Sequence, residues 1–401
     1  MKPSSRFLTS QSLSYFGDAI LEVAWIVWVI HLAPHHPALS LGTLMALQAV
    51  PQAVLSGILA GYIDRLPRKV TLIATSAIRA IAIVLTALYP VLWMTFAMVI
   101  LFQSVSVIAQ PLERAVLPDL VPDRGAINRA LARLGQLYSI GQVAGLVLVG
   151  VMILVLGIRP VFLVIGVIYL LVAIARGAIA IPPGHVSQKA SWWSQIREGL
   201  HFHRDMVAVR YLLILIGMVG LVTGGVNMLL ALSAKDLWHH PTSEVNFLFL
   251  ALLLGVLASD TLLEKWLTDA RYHLTIFLSL VLLIVSLLAL GIISGQWVFG
   301  LAMAFVIGIA NGFVMTPSRA WLASIVPTEI RGRVAIFRSQ VLGIVNVVSP
   351  YVTALLVGRI GLAKTWFIMG LLFIPIAIWW LVTKNTSTRS LGASDVSEAA
   401  G

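Results

Sequence analysis

Two acidic residues lie close together in the first long apolar stretch of the chain, and they are its clearest candidates for chemistry. Asp18 and Glu22 are four residues apart, so a helix places them one turn apart on the same face. Two carboxylates this close in apolar surroundings cannot both stay ionised at low cost, and we expect at least one to hold a proton near neutral pH. The pair could therefore exchange a proton for a cation. The alternative is structural: Asp18 braces a helix and Glu22 pairs with an arginine.

Arginines within the apolar stretches are candidate partners for these acids. Arg79 lies in the third stretch, Arg176 deep in the sixth and Arg338 near the start of the eleventh. An arginine in such surroundings faces protein or water and usually has a carboxylate partner. Arg79 could pair with Asp18 or Glu22, which would favour the ionised carboxylate and weaken its case as a proton carrier. Arg338 is either a cavity residue or a structural one.

Amide and large aromatic side chains recur in the apolar stretches. Amides surrounded by lipid need hydrogen-bond partners, and contacts between helices can supply them without any bound ligand. The same side chains could instead line a cavity, and a large apolar cavity with a few polar groups suits a lipophilic ligand. The candidates are Trp25, Trp28, Gln103, Gln110, Asn227, Asn311 and Asn346.

A short polar segment combines one acidic residue with several basic ones. Asp64 is followed by Arg65, Arg68 and Lys69. A carboxylate in this position can accept hydrogen bonds from a helix N-terminus, or pair with an arginine in one conformation and release it in another. The alternative is that the basic residues only mark the side of a membrane on which the segment lies.

Several classes of chemistry lack the residues that they need. The chain has no cysteine, which excludes disulfides, thiolate metal sites, iron–sulfur clusters and cysteine nucleophiles. It contains no Walker-type phosphate-binding loop and no His-Glu-x-x-His or Gly-x-Ser-x-Gly motif. The pairs His35-His36 and His239-His240 are more typical of solvated turns than of a metal site. We therefore expect no catalytic residues, no cofactor and no metal.

The composition is too apolar for a water-soluble protein. Of the 401 residues, 59% are hydrophobic and 11% are charged, against about 25% charged residues in typical soluble domains. A chain of this size cannot bury so much apolar surface, so the apolar residues must face lipid. The net charge of +11 does not indicate nucleic-acid binding, because the basic residues lie in short gaps and form no continuous patch.

Twelve apolar stretches are long enough for a membrane-spanning helix, which needs about 20 residues. They lack the alternation of barrel strands, so the sequence predicts an all-α membrane protein with twelve transmembrane helices. The expected spans are residues 10–32, 40–62, 70–89, 91–112, 127–156, 160–181, 207–234, 243–263, 273–293, 297–323, 333–358 and 362–383.

An even number of spans places both termini on the same side of the membrane. Only four of the 27 Lys and Arg residues then fall on the opposite side, so the positive-inside rule makes the termini cytoplasmic. We expect a multi-pass protein of the inner (plasma) membrane. The four basic residues on the side opposite the termini are Arg159, Lys235, Arg359 and Lys364.

The longest break between spans divides the chain into halves. Residues 182–206 begin with Pro-Pro-Gly and continue with interleaved aromatic, aliphatic and charged residues, which is typical of a linker with an amphipathic helix on the cytoplasmic surface. Residues 1–181 and 207–384 then form bundles of six helices each. The tail 385–401 is rich in Ser, Ala and Gly, and we expect it to be disordered.

The two halves also resemble each other in sequence. Several of the residues that are identical at an offset of 205 are charged or proline residues, and chance agreement among aliphatic residues does not explain these. Duplicated bundles are typical of secondary transporters, which bind substrate near the bilayer midplane between the repeats. The aligned pairs include Arg114 with Arg319, Pro122 with Pro327, Asp64 with Asp269, and Arg133 with Arg338.

The loop after the second span, Gly61-Tyr-Ile-Asp64-Arg65-Leu-Pro67-Arg68-Lys69, resembles the signature loop of the major facilitator superfamily. It departs from that signature at Ala60 and Pro67, where the family usually has glycine, and the antiporter signature of the fifth span lacks its Gly-Pro pair. Four other segments are similar to the drug-exporter branch, which includes macrolide and siderophore exporters. They are residues 17–18, 117–122, 197–200 and 326–333.

The resemblance implies the major facilitator fold of two pseudo-symmetric six-helix bundles, and a monomer. It further implies that Asp64 holds the two halves together on the inner side, assisted by a basic residue of the fourth span, for which Arg114 is the candidate. The function that it favours is export of a lipophilic small molecule, which could be a cation, in exchange for protons. Transport of a lysophospholipid or siderophore, nutrient uptake by symport, and a non-transporting membrane sensor or enzyme stay open.

Overall fold

The computed structural model describes residues 3–59, 66–121, 124–181, 207–266, 271–293, 295–326 and 331–398. These residues form thirteen α-helices, one 3₁₀-helix and no strand, which confirms the predicted all-α class. The helices are α1 (Pro3–Leu32), α2 (Pro37–Leu59), α3 (Arg68–Leu88), α4 (Leu92–Asp119), α5 (Arg124–Leu156), α6 (Ile158–Gly177), α7 (Val207–Thr223), α8 (Val226–Asp236), α9 (Val245–Trp266), α10 (Tyr272–Ile292), α11 (Trp297–Ile325), α12 (Arg331–Ile360) and α13 (Leu362–Glu398), and the 3₁₀-helix is Thr242–Glu244.

Twelve segments of the described chain are long and apolar enough to cross a membrane, which confirms the predicted number. Helices α7 and α8 together form one of them, Val209–Asp236. The helical span breaks between them at two glycines, where α12 comes close. A Cβ atom at Gly224 would lie 2.8 Å from the Ser349 Cβ, and one at Gly225 would lie 2.6 Å from the Thr353 Cβ. Glycine is therefore required at this contact.

Two tight turns support the internal duplication. Gly157 connects α5 to α6 with a φ of 81°, and Gly361 connects α12 to α13 with a φ of 83°. This left-handed conformation favours glycine, because a side chain would clash with the backbone. The two glycines are 204 residues apart, close to the offset that aligns the sequence halves. Both halves therefore enter their last span through the same kind of turn.

The chain forms two compact units. Unit 1 comprises Met1–Trp192 together with Pro241–Leu250, and unit 2 comprises Trp193–His240 together with Ala251–Gly401. In unit 1, α1 packs against α5 and α6, and α3 packs against α4 and α6. In unit 2, α10 packs against α11 and α13, and α7 packs against α12 and α13.

The structure describes only part of the two segments predicted outside the helical bundles. The linker with its amphipathic helix, residues 182–206, lies outside the described residues. Helix α13 continues to Glu398, through most of the segment 385–401. The side chains after residue 382 lie outside the described part of the chain. The disorder of the tail therefore stays a prediction.

Candidate functional site

Unit 1 contains a cavity of about 660 Å³ between α1, α2, α3, α4 and α5. Six of the residues predicted to couple protons or to line a cavity contribute to its wall, so the structure brings them together. They are Asp18, Glu22, Trp25, Arg79, Gln103 and Gln110. The wall also contains residues that the sequence did not single out, namely Tyr15, Leu21, Gln48, Phe102, Ser106, Glu113, Leu131, Leu134, Gly135, Tyr138 and Gln142.

Helical spacing explains why α1 presents its polar residues to the cavity. Tyr15, Asp18, Glu22 and Trp25 follow one another at intervals of three or four residues, which places them on one face of the helix. The residues between them pack inside the bundle: Ala19, Ile20, Val23 and Ala24 are all fully buried. The acidic pair thus lies on the cavity face of a helix that is otherwise anchored by apolar packing.

The two carboxylates of α1 differ in their surroundings. Asp18 is half-buried and accepts a hydrogen bond from the Tyr169 hydroxyl of α6. Glu22 is exposed in the cavity, and it has no hydrogen bond or ion pair among the described residues. Glu22 is therefore the carboxylate that a ligand or a proton can reach without displacing a protein group.

Arg79 is only 2% exposed and lies between aromatic rings. Its Cζ atom is 5.4 Å from the ring centre of Phe102 and 5.7 Å from that of Tyr169, within the range of cation–π attraction. Its Nη1 atom is 4.0 Å from Oε1 of Glu113. The sequence left Asp18 and Glu22 open as possible partners of Arg79, but its ion pair among the described residues is with Glu113 of the adjoining helix α4.

Glu113 is the centre of a second set of contacts, which we call the Glu113 cluster (Gln11, Ser76, Glu113 and Arg176). Arg176 donates from Nη2 to Glu113 Oε1 at 2.8 Å and to Gln11 Oε1 at 2.9 Å, and from Nη1 to Ser76 Oγ at 2.8 Å. Gln11 Nε2 donates to Glu113 Oε2 at 2.7 Å. Since Glu113 is 4% exposed and Arg176 is 0% exposed, this pair is shielded from solvent and cross-links α1, α3, α4 and α6.

Sequence analysis missed Glu113, although a signal for it exists. Gln103, Ser106, Gln110 and Glu113 follow one another at intervals of three or four residues, so they form a polar stripe along α4. All four line the cavity. Reading this periodicity, rather than single amides, would have placed Glu113 in the site. Its pairing with Arg176 depends on how α4 and α6 pack and is not visible in the pattern.

Trp28 is not part of the cavity wall. It is 2% exposed, donates from Nε1 to the Thr95 hydroxyl at 3.1 Å, and packs against Phe162 with ring centres 5.3 Å apart. Trp25 also contacts Phe162 but reaches the cavity. One turn of helix therefore separates a tryptophan that lines the site from one that holds α1 to α4 and α6.

The remaining candidates belong to unit 2. Asn227 and Asn311 are half-buried in α8 and α11, whereas Asn346 is exposed in α12. Arg338 is half-buried, and its Nη2 atom lies 3.8 Å from Sδ of Met315. None of the four lines the apolar groove of about 430 Å³ in this unit, which is formed by Arg210, Leu213, Ile214, Gly217, Met218, Leu221, Val341 and Val345.

The structure describes only part of the predicted latch, the contact between the two halves assigned to Asp64, Arg65, Arg68, Lys69 and Arg114. Asp64 and Arg65 lie outside the described residues, as does the side chain of Arg114. Lys69 is half-buried in the first turn of α3. Arg68 forms an ion pair with Asp119, which ties the start of α3 to the end of α4. The sequence did not predict Asp119 as a partner of this loop.

In the described part of the chain, no three His, Cys, Asp or Glu residues come together as a possible metal site.

Nearly the whole chain matches one protein family. The model described as Major Facilitator Superfamily matches residues 7–234 and again residues 212–398, so the protein belongs to this superfamily. It is accordingly a secondary transporter, a multi-pass membrane protein that moves a small-molecule substrate. The overlapping matches also agree with two homologous halves.

Solved structures with the same fold include transporters that are named for different substrates. A crystal structure of the nucleoside transporter NupG has a TM-score of 0.79 at 13% identity, covering 95% of this chain and 99% of that one. A bacterial homolog to the human lysosomal transporter Spinster, in an inward-facing and unoccupied conformation, has a TM-score of 0.73 at 14% identity, covering 96% and 98%. The human organic anion transporter MFSD10 (TETRAN) has a TM-score of 0.66 at 14% identity, covering 95% and 100%.

At these identities the similarity shows the fold alone. No curated protein sequence matches the chain.

Proposed function

We propose that this transporter exports a lipophilic cation from the cytoplasm in exchange for protons. The observation that carries the proposal is Glu22, a carboxylate that is exposed in the unit 1 cavity and has no partner among the described residues. An ionisable group in a membrane-spanning helix is costly unless it serves transport or is paired. Glu22 can hold either a proton or a substrate cation, and competition between them couples the two fluxes.

The composition of the cavity wall supports a lipophilic cation. Tyr15, Trp25, Phe102 and Tyr138 supply aromatic surface, which attracts cations through the ring quadrupole and contacts apolar groups. Four glutamines add neutral polar groups, which can orient a ligand by hydrogen bonds but do not select its charge. Such a wall can accommodate ligands of many apolar shapes, provided that they carry a positive group that lies near Glu22.

Transport by this protein would follow alternating access, in which the two homologous halves rock about a central site. We assign the protein to the inner (plasma) membrane with both termini cytoplasmic, on the distribution of Lys and Arg. In this orientation the loop of Asp64 would hold the two halves together on the cytoplasmic side in the outward-open state. Arg65, Arg68, Lys69 and Arg114 would contribute to this contact. The resemblance of this loop and of four other segments to the drug-exporter branch supports export rather than uptake.

The Glu22→Gln variant tests the proposal, because it removes the charge and keeps the shape. We use N-benzyl-4-phenylpyridinium, a lipophilic monocation, as the probe. In proteoliposomes with an imposed proton gradient, wild-type protein should move the probe against its gradient, and Glu22→Gln should not. Glu264→Gln, at an exposed position of α9, is the matched control and should transport like the wild type. Equal transport by the wild type and Glu22→Gln would overturn the assignment of Glu22.

A second candidate substrate is an anionic amphiphile such as a lysophospholipid, favoured by the unit 2 groove. Seven of its eight residues are apolar or glycine, which suits an acyl chain, and Arg210 at its end could bind the phosphate. Gly217→Leu would fill the groove, since a Cβ at Gly217 is in ordinary contact with Val341 at 3.6 Å. Loss of lysophospholipid transport in this variant, with pyridinium transport intact, would favour the second candidate.

A further inference from the structure

The seventh membrane span is interrupted near its middle. Helices α7 and α8 are separated by Gly224 and Gly225, the sixteenth and seventeenth of the 28 residues in the span Val209–Asp236. We call these two glycines the break. A continuous helix would bond both the Gly225 N–H and the Gly224 carbonyl, but neither group has a backbone partner among the described residues.

The N-terminus of α8 begins at the break without a side-chain cap. Gly225 is the N-cap residue, and no described side chain forms a capping hydrogen bond there. The first N–H groups of a helix have no partner within it, and here they lie inside a membrane span rather than in water. Backbone groups without a partner are costly at this depth unless they are buried in protein or line a cavity. Broken helices of this kind form binding sites in transporters.

Ser349 of α12 supplies another free group at the break. Its side chain is 0% exposed, and its hydroxyl has no hydrogen-bond partner among the described residues. The Ser349 Oγ atom would lie 2.8 Å from a Cβ atom at Gly224, so the hydroxyl is directed at the break. The nearby hydroxyls of Thr223 and Thr353 differ, because each donates to a carbonyl of its own helix at 2.9 Å. A buried hydroxyl without a partner therefore indicates a ligand at this position.

The free groups at the break are neutral, and they include both a donor and an acceptor. Gly225 offers an N–H, Gly224 offers a carbonyl, and the Ser349 hydroxyl can donate or accept. Every charged residue of α7, α8 and α12 is at least ten residues from the break or from Ser349 along its own helix, a rise of about 15 Å. An ion at the break would lack an opposite charge from these helices and would be strongly disfavoured.

The apolar groove of unit 2 leads to the break. Both follow the contact between α7 and α12: Gly220 faces Val345, which is a groove residue, and one turn further Gly224 faces Ser349. Gly224 is half-buried, so the break is open on one side. A hydrocarbon chain in the groove could therefore bring a polar end group to the break.

We infer that the break binds the hydroxyl group of an aliphatic alcohol, whose hydrocarbon chain lies in the groove. The hydroxyl accepts hydrogen bonds from the Gly225 N–H and the Ser349 hydroxyl, and it donates one to the Gly224 carbonyl. An ether can only accept, and a carboxylate brings a charge that is not compensated. The inference goes beyond the proposed function, because this site lies within unit 2 and does not involve Glu22.

Photolabelling of the purified full-length protein in lipid nanodiscs tests the inference. The probe is 3-azioctanol, an aliphatic alcohol with a photoreactive diazirine near its hydroxyl, and mass spectrometry locates the labelled residues. Labelling within residues 221–224 and 345–349 should saturate as the probe concentration rises. Octanol should displace the probe at a concentration at least roughly fivefold lower than methyl octyl ether, because the ether cannot donate a hydrogen bond. Absence of saturable labelling, equal displacement by the ether, or stronger displacement by octanoate would each overturn the inference.

The Ser349→Ala variant removes the hydroxyl and keeps the small size of the side chain. It should raise the half-saturating concentration of the probe by roughly fivefold, the effect of losing one hydrogen bond. The matched control is Ser286→Ala, at a buried serine of α10 whose hydroxyl already bonds to carbonyls of its own helix, and it should label like the wild type. A folded Ser349→Ala variant with the affinity of the wild type would contradict the inference. If this variant does not fold, the competition between octanol and its ether on the wild type decides the question.

Discussion

At the residue scale, some polar side chains of unit 1 form hydrogen bonds and ion pairs with other protein groups, and others do not. Glu113, Gln11 and Arg176 satisfy one another in a buried network. Asp18 is bonded to Tyr169, and Glu22 is not bonded to any described residue. Buried ionic groups in a membrane protein are costly unless they are paired. The paired groups are thus expected to stabilise the fold, and the proposed function assigns ligand binding to Glu22.

The Glu113 cluster predicts a large loss of stability when its acid is neutralised. In Glu113→Gln, Arg176 keeps its charge in a fully buried position but loses its carboxylate partner. We expect the free energy of unfolding to fall by about 3 kcal/mol or more, the range typical of breaking a buried ion pair. Reversible unfolding in mixed detergent micelles measures it. The exposed control Glu264→Gln should change stability little, and a loss in Glu113→Gln as small as that of the control would contradict the assigned role.

The two tryptophans of α1 should respond differently to substitution. Trp28→Phe removes the hydrogen bond to Thr95, which should cost about 0.6 kcal/mol, the average for a side-chain hydrogen bond between membrane helices. Affinity for the pyridinium monocation should not change, because Trp28 lies outside the cavity wall. Trp25→Ala removes aromatic surface from the cavity and should weaken binding by roughly tenfold, within the range of aromatic and cation–π contacts. Titration calorimetry of both variants compares these effects, and equal losses of affinity would refute the distinction.

At the element scale, glycines set how closely helices pack in unit 2. A Cβ at Gly308 of α11 would lie 2.9 Å from the backbone carbon of Leu252 and 3.0 Å from Cα of Gly255, both in α9. A side chain at Gly255 would likewise meet the backbone nitrogen of Ile309 at 2.9 Å. The two backbones are thus in direct contact, as is typical of small residues at interfaces between membrane helices.

This contact predicts that Gly308→Val separates α9 from α11. Backbone atoms cannot move aside like a flexible side chain, so we expect a loss of at least about 2 kcal/mol in the free energy of unfolding, as for an overpacked core. Gly358→Val in α12 is the control, because a Cβ there would have no neighbour within 4 Å. Thermal unfolding of the detergent-solubilised variants compares them. A Gly308→Val variant as stable as Gly358→Val would mean that the helices do not touch at this point.

At the scale of the whole molecule, the duplicated halves keep a common architecture and differ in charge. The turns at Gly157 and Gly361 have the same left-handed backbone conformation. At the offset of 205 residues, however, the ionic residues of the unit 1 cavity and of the Glu113 cluster align with neutral ones in unit 2, so only the first half carries the charges proposed for coupling. Arg79, Glu113 and Arg176 correspond to Ile284, Ser318 and Leu381.

The proposed orientation in the membrane predicts which sites a reagent can reach from outside the cell. The chain has no cysteine, so a single introduced cysteine is the only thiol and the parent protein is an unlabelled control. His36→Cys and Lys364→Cys, in or near the connections on the predicted external side, should react with a membrane-impermeant maleimide in intact cells. Ser4→Cys should react only after permeabilisation. Labelling of Ser4→Cys in intact cells, with protection of the other two, would invert the topology.

The sequence by itself determined the class, the number of spans and the family of this protein. The class and the number of spans follow from composition and from the length of apolar stretches, which do not depend on how helices pack. The superfamily was indicated by the resemblance of the loop at residues 61–69 to its signature. It also placed Asp18 and Glu22 on one face of the first span, because helical spacing is local. The same local rule, applied to α4, would have added Glu113 beside Gln110.

The tertiary structure alone decided which of these groups bind each other. Arg176 and Glu113 are 63 residues apart, and Asp18 and Tyr169 are 151 residues apart, so no local pattern predicts either contact. The packing of α1, α3, α4 and α6 paired Arg79 with Glu113 rather than with the acids of α1, and it turned Trp28 away from the cavity. A charge inside a membrane protein must find its partner in three dimensions, and this packing left Glu22 without a bonded partner among the described residues.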